Sequence, residues 1–487
     1  VAVAIPSQVV QVCRPNLGGG GLGMNTMEYQ LPSPTLPNNT IVIPIGWFPD
    51  SGVTVSISDD QGNTYVQDEA HQDSNQTYRV AWFRCNRAIT GTQRVNVNFS
   101  GGTGQFVMGC LLELWGIADT PLDGHSNFGF GSGGYAGSTS WACGSFTPTT
   151  NGGLILSAGW SDQQSNYSDF TPAANFALVA SNVKSGFALQ AMIQTTAAAI
   201  NPTITASISG DFMALGVCYK TDNTKGTQPT AVPRPFQISW SPIHDPTATS
   251  FHIQHPGKGD LVTIGWVGQG PAEHVDAIAR QMASTPATDN KSNSYTRTPL
   301  SQSTNCTAQH AYAGGNPAAR ATTGSDFTLD VAVATADNAA TVKITDWITG
   351  TSGVQFDQAA SANGFQGSSG AVTFGSITPT YAGGFVEGSC GVNQNTVQRC
   401  MTSGWTTDSP WFDTEDGNTD ELAEDNFWGH VLNAPATALA PTCNQSHMTG
   451  GGGFGVADWA YQAIAFNAPP VVFPPRRALS QQQRRAA

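Results

Sequence analysis

A chain that repeats itself at long period must fold as copies of one unit, and this 487-residue chain repeats once. The run ending Ile45-Gly46-Trp47 returns as Ile264-Gly265-Trp266, an offset of 219 (264 minus 45). The stretch Asp60-Gln61-Gly62-Asn63-Thr64-Tyr65 returns as Asn290-Lys291-Ser292-Asn293-Ser294-Tyr295, an offset of 230 (295 minus 65). Further on, Glu113-Leu114-Trp115 and Pro121-Leu122-Asp123 match Asp346-Trp347 and Gln355-Phe356-Asp357. Gly152-Gly153-Leu154-Ile155-Leu156 matches Gly383-Gly384-Phe385-Val386-Glu387, and Asp211 to Val217 matches Asp458 to Ile464. Collinear anchors at drifting offsets indicate duplication followed by loop growth. The drift includes an insert, Ala272 to Met282, whose apolar spacing predicts a short surface helix.

Within each copy, runs of four to eight residues rich in Val, Ile, Thr and aromatics alternate with Gly, Asn, Asp, Ser and Pro clusters. Arg94-Val95-Asn96-Val97-Asn98-Phe99 alternates with period two, as a half-buried strand does. Charged residues are only 11% of the chain, while Gly (54) and Pro (29) are abundant, a globular β composition. The predicted fold is all-β: two tandem antiparallel β-sandwich domains, jelly-roll or Ig-like, with extended N- and C-terminal arms. The expected boundaries are an arm at 1–14, a sandwich at 15–222, a polar, Pro-rich linker at 223–235, a second sandwich at 236–468 and a Pro/Arg tail at 469–487.

The residues Gly62 to Tyr65, Val95 to Phe99, Glu113 to Asp123, Leu154 to Gly159 and Trp459 to Ala463 form a pattern. It resembles the β-sandwich repeats of large secreted bacterial surface and fibre proteins. The second copy departs from it, with Asp346 in place of Glu and no glycine at the turn. The resemblance implies an extracellular or cell-surface location and an adhesive or structural role, and it carries no catalytic residues.

A formal net charge of −14 disfavours broad binding to nucleic acid or anionic membrane. No stretch approaches the roughly 18 apolar residues of a membrane span. The start at Val1 rather than Met is that expected of a processed, secreted product.

The termini suggest assembly. The arm, with Val1, Val3, Ile5, Val9, Val10 and Val12, is apolar and β-prone, and left free it would aggregate. It pairs either in cis as an edge strand or in trans as a strand donated to a neighbour. The tail joins an apolar clip, Val471, Val472 and Phe473, to Arg476 and Arg477. It either grips an acidic neighbour, frays in solvent or touches a packaged genome. Head-to-tail strand donation propagates as a filament unless it closes a ring.

Sites of chemistry are few. No G-x-S-x-G pentapeptide occurs, and the Gly-rich runs Gly129 to Gly134 and Gly450 to Gly455 read as loops. His244, His252 and His255 with Asp245 and Asp260 form a local histidine cluster, but His252 and His255, three apart in extended chain, face opposite sides. The acidic run holding Asp413, Glu415, Asp416 and Asp420 offers oxygen ligands suited to calcium, the one cofactor the sequence suggests, although it fails the EF-hand register. Glu113 and Asp346 are acids inside strands at equivalent positions, which reads as structural rather than as a glycosidase pair. Trp47, Trp115, Trp266 and Trp347 recur between copies and read as core.

Nine cysteines without metal spacing suit an oxidising compartment. Cys85, Cys110, Cys143 and Cys218 lie in the first copy, Cys306, Cys390, Cys400 and Cys443 in the second, and Cys13 in the arm; Cys390 to Cys400 is the first disulfide expected. Sequons at Asn38, Asn75, Asn98, Asn166, Asn290, Asn305 and Asn444 make a glycoprotein the expectation, and glycans are candidate partners. The sequence therefore points to a non-enzymatic subunit of an extracellular homopolymeric filament that takes itself as partner. The alternatives are a virion capsid or tail-fibre protein and a carbohydrate-binding adhesin.

Overall fold

The computed structural model describes residues 3–14, 24–49, 52–72, 78–126, 137–161, 167–183, 185–243, 249–269, 281–303, 306–314, 321, 323–334, 340–350, 353–366, 371–392, 396–400, 404–408, 411–414, 427–447 and 457–467. Every regular element among them is a strand, so the protein is all-β with several sheets. Of the predicted helix, residues 272–280 lie outside the described residues, and Met282 opens the strand Met282–Asp289. The runs Gly129 to Gly134 and Gly450 to Gly455 also lie outside them.

The repeated turn shows how the sequence sets local structure. Asp59 Oδ1 accepts from the amides of Gln61 and Asn63, and its Oδ2 accepts from Asn63 Nδ2 and the Tyr65 hydroxyl, all at 2.8–3.0 Å. Asp289 does the same with Lys291, Asn293 and Tyr295. A carboxylate collecting four donors closes the turn and starts the next strand. The turn needs a left-handed residue, which is Gly62 at φ 76° in the first half and Ser292 at φ 61° in the second. The aspartates after each acid strand act likewise: Asp123 accepts from the amides of Thr149 and Thr150, and Asp357 from that of Thr380.

A sixteen-stranded sheet runs through both halves. Its order across the middle is Cys306–Ala313, Leu261–Gln269, Ala340–Ile348, Arg234–Ile243, Val9–Arg14, Leu111–Leu114 and Thr40–Pro49. Each half adds a five-stranded sheet. The first runs Ile117–His125, Phe212–Thr221, Gly153–Ser161, Phe187–Gln194, Ala177–Asn182, and the second Gln355–Gln366, Ala457–Asn467, Gly384–Val392, Phe427–Ala434, Thr406–Thr407. The two orders match strand for strand.

Each five-stranded sheet has a core on both faces. On one side it meets the large sheet: Val42, Trp82 and Leu112 pack against Leu154, Leu156 and Tyr219, and Leu261 and Trp347 against Phe385 and Phe466. On the other it is covered by a three-stranded sheet, with Trp141 and Ile204 against Leu178 and Ala188. At about 1.5–3 kcal/mol for each large apolar side chain removed from water, these layers carry the stability of the fold. Trp47, Trp266 and Trp347 are buried in these cores, while Trp115 is partly exposed.

Cross-strand register corrects one anchor. Ile41 stands opposite Glu113 and Val262 opposite Asp346, so the ladders superpose at an offset of 221 (262 minus 41). The Ile-Gly-Trp match is off by two, a shift that a period-two pattern conceals because every side chain keeps its face.

Candidate functional site

Two places concentrate polar chemistry, the arm junction and a set of charges beneath the second half's large sheet. At the junction the arm strand Val9–Arg14 pairs antiparallel with Leu111–Leu114 and parallel with Arg234–Ile243. It is thus paired in cis on both edges, as an interior strand, where the cis alternative had placed it at an edge. Val9, Val10 and Val12 are buried, and Ile5 shares a core with Val9 and Val12, while Val3 is exposed. Val1 and the tail residues Val471, Val472, Phe473, Arg476 and Arg477 lie outside the described residues.

Both halves fasten the arm. From the first, Trp115 Nε1 donates to Ser7 O at 2.8 Å. From the second, Lys258 Nζ donates to Pro6 O and Val9 O at 2.6 and 2.7 Å, Arg234 to Val10 O at 2.9 Å and Ser325 Oγ to Val3 O at 2.6 Å. The acids flank this seam. Glu113 accepts from Gln11 Nε2 in the arm, the Leu36 amide and Asn39 Nδ2. Asp346 accepts from the amides of Lys258 and Gly259. Burial pushes the Glu113 carboxyl up, and it takes Asp346 up to about 7. Burial also takes the Lys258 ammonium down to about 7, aided by nearby Arg234. A cavity of about 200 Å³ beside the seam is lined by Val10, Gln11, Glu113 and residues 227–235.

The second place is fully buried. Lys343, on Ala340–Ile348, sets its Nζ 2.8 Å from Glu387 Oε1 and 2.5 Å from Asp408 Oδ2. His430 Nδ1 donates to Asp408 Oδ1 at 2.8 Å, and the Thr345 hydroxyl to Glu387 Oε1 at 2.9 Å. All four charged or titratable side chains are at most 1% exposed. Burial opposes each charge, yet the carboxylates of Asp408 and Glu387 hold the Lys343 ammonium pKa above its ordinary value. Both carboxyls are held below theirs, Glu387 chiefly by Lys343 and Asp408 by His430 and Lys343. His310, lowered to about 4 by burial, stays neutral beside them. Glu387 Oε2 and the Nε2 atoms of His310 and His430 make no hydrogen bond. Sequence reasoning missed this set; its one signal was charged letters, Lys343 and Glu387, inside apolar strands.

The chain matches no protein-family model, no curated protein and no solved structure.

The remaining expected residues are dispersed. His252 bridges Asp169 and Asp330 at 3.1 and 2.9 Å, His255 Nδ1 meets Ser239 Oγ, and Asp260 accepts from Thr349, so the histidine cluster does not converge. His244 and Asp245 lie outside the described residues, as do Glu415, Asp416, Asp420 and the side chain of Asp413. Among the described residues no group of three or more His, Cys, Asp or Glu is placed to hold a metal, and no helix is long and apolar enough to cross a membrane.

Cysteine pairing is corrected. No disulfide is seen among Cys13, Cys85, Cys110, Cys143, Cys218, Cys306 and Cys390, all of them buried. Cys390 lies in a five-stranded sheet and Cys400 in a three-stranded one, where its register partner is Cys443. Burial takes the thiols of Cys85 and Cys143 up to about 12 and 11, which keeps them protonated and unreactive. Of the sequons, Asn38 and Asn290 are exposed, whereas Asn98 sits inside a ladder bonded to Thr26 and Ser58. Asn75, Asn166, Asn305 and the side chain of Asn444 lie outside the described residues.

Proposed function

We propose that the protein is a structural subunit of an extracellular filament, built of two tandem β-sandwich halves, in which the arm is exchanged between copies. One observation carries the reading: the arm strand fills an interior slot, with ladder pairing on both sides and anchors from Lys258, Arg234 and Ser325. An identical arm from a second copy would make the same bonds, so a cis slot is also a receptacle in trans. Between arm and body the sequence runs Pro15-Asn16-Leu17-Gly18-Gly19-Gly20-Gly21-Leu22-Gly23, uncharged and glycine-rich, a composition suited to a hinge. The exposed sequons Asn38 and Asn290 are then glycan sites on the fibre surface.

The test is negative-stain electron microscopy of the full chain beside a deletion of residues 1–12, with and without a synthetic arm peptide. Filaments that vanish on deletion, leaving particles that the peptide keeps folded, are expected. Monodisperse particles of the full chain at every concentration would overturn the proposal.

A further inference from the structure

The buried charges are arranged for a reaction within the chain. We infer that Lys343 and Asp408 condense into an intramolecular amide bond, with Glu387 as the proton carrier and His430 holding the acyl oxygen. This is independent of the filament reading, since it concerns one fold and needs no second copy.

The geometry supplies each part. The nucleophile and electrophile are already in contact, with Nζ 2.5 Å from Asp408 Oδ2, and neither side chain has solvent to compete. Such fixed juxtaposition replaces a bimolecular encounter by one within a prepaid geometry. Asp408 is held from both ends, its backbone amide donating to Trp428 O at 2.7 Å and its Oδ1 accepting from His430. Glu387 touches the same nitrogen at 2.8 Å and keeps Oε2 without a partner. It is therefore placed to take a proton from the amine and pass it on.

The step balances without an oxidant or a co-reactant. Although the set favours the charged pair, one ammonium proton passes along the 2.5 Å contact to Asp408 Oδ2, giving a neutral amine and a carboxylic acid as the minor, reactive state. Nζ attacks Cγ, and the developing charge on Oδ1 is met by His430 Nδ1–H. Glu387 accepts a second proton from the nitrogen and returns it to Oδ2. The Cγ–Oδ2 bond breaks and the oxygen leaves as water. Three protons on nitrogen become one, and Glu387 ends as it began. Two charges out of water carry a desolvation penalty of several kcal/mol each, and the amide removes those of Lys343 and Asp408, while Glu387 keeps the Thr345 hydroxyl and the nitrogen's remaining hydrogen as donors. The product ties the large sheet covalently to the segment beside Phe427–Ala434.

The experiment is the intact mass of the full-length chain, denatured with all thiols reduced, followed by peptide mapping. A mass one water below the sequence mass is expected, with one peptide joining Lys343 to Asp408. Glu387→Gln, which preserves shape, should fold by circular dichroism and keep the full mass, as should Lys343→Met. A full wild-type mass would overturn the inference, and so would a water loss without a joined peptide. An amide to Glu387 instead, or a linked Glu387→Gln variant, would overturn the assigned roles.

Discussion

The two halves put opposite chemistry at the same ladder positions. In the first, Cys110 follows the register that places Glu113 opposite Ile41, and Leu156 stands opposite Ala191, all inside an apolar core. In the second, the same places hold Lys343, Glu387 and His430, with Glu387 opposite His430. A backbone that closes over Leu156 does not need charges to fold. The charged set is therefore an addition to the second half, and the strands serve as a rigid mount for it.

The sharpest way to break the comparison is Lys343→Met. It leaves Asp408 as a free carboxylate buried beside Glu387, with neither a cation nor an amide to the Lys343 nitrogen, and a loss of about 3–5 kcal/mol is expected in urea unfolding. Ala180 pairs with Leu189 where Asp408 bonds to Trp428, so installing Cys, Leu, Ala and Ala at 343, 387, 408 and 430 rebuilds the first half's apolar core and should restore most of that loss. If the quadruple variant were no more stable than Lys343→Met, the halves would not be interchangeable mounts.

A smaller effect separates the acid strands by pH. Asp346 keeps its proton in the folded state up to about pH 7, whereas in the unfolded chain it is released near 3.8, so this group lowers stability as pH rises between those values. Lys258 loses its proton near 7 when folded and near 10.5 when unfolded, so it raises stability across that window. Together they place a minimum near pH 7 in the junction's contribution. In denaturation midpoints taken against pH, Asp346→Asn should flatten the acid limb and Lys258→Met the alkaline limb. An unchanged acid limb in Asp346→Asn would show that this carboxyl titrates normally.

The smallest effect lies at the duplicated turn. Ser292→Gly should stabilise the protein by up to about 1 kcal/mol and Gly62→Ser destabilise it comparably, because only glycine enters the left-handed region without strain. Thermal midpoints of the pair would read the difference.

The turn was legible in the sequence because its donors sit within six residues of Asp59 and Asp289. The equivalence of Glu113 and Asp346 was legible too, since both interrupt apolar strands. The arm's partners were not, because a terminal strand's pairing depends on which edge the rest of the fold leaves open. The charged set stayed hidden for a related reason: Lys343, Glu387, Asp408 and His430 come from separate segments and meet only when two sheets stack. Comparing Leu156 with Glu387 contained the hint, an acid where the other copy is apolar.

Arm exchange is tested most directly by trapping. Val3 and Ser325 are in contact across the seam, with Ser325 Oγ 2.6 Å from Val3 O. The double variant Val3→Cys, Ser325→Cys would be oxidised under assembly conditions and run on a denaturing gel without reductant. A ladder of covalent multimers is expected; cross-linked monomers alone would contradict the exchange of arms between copies.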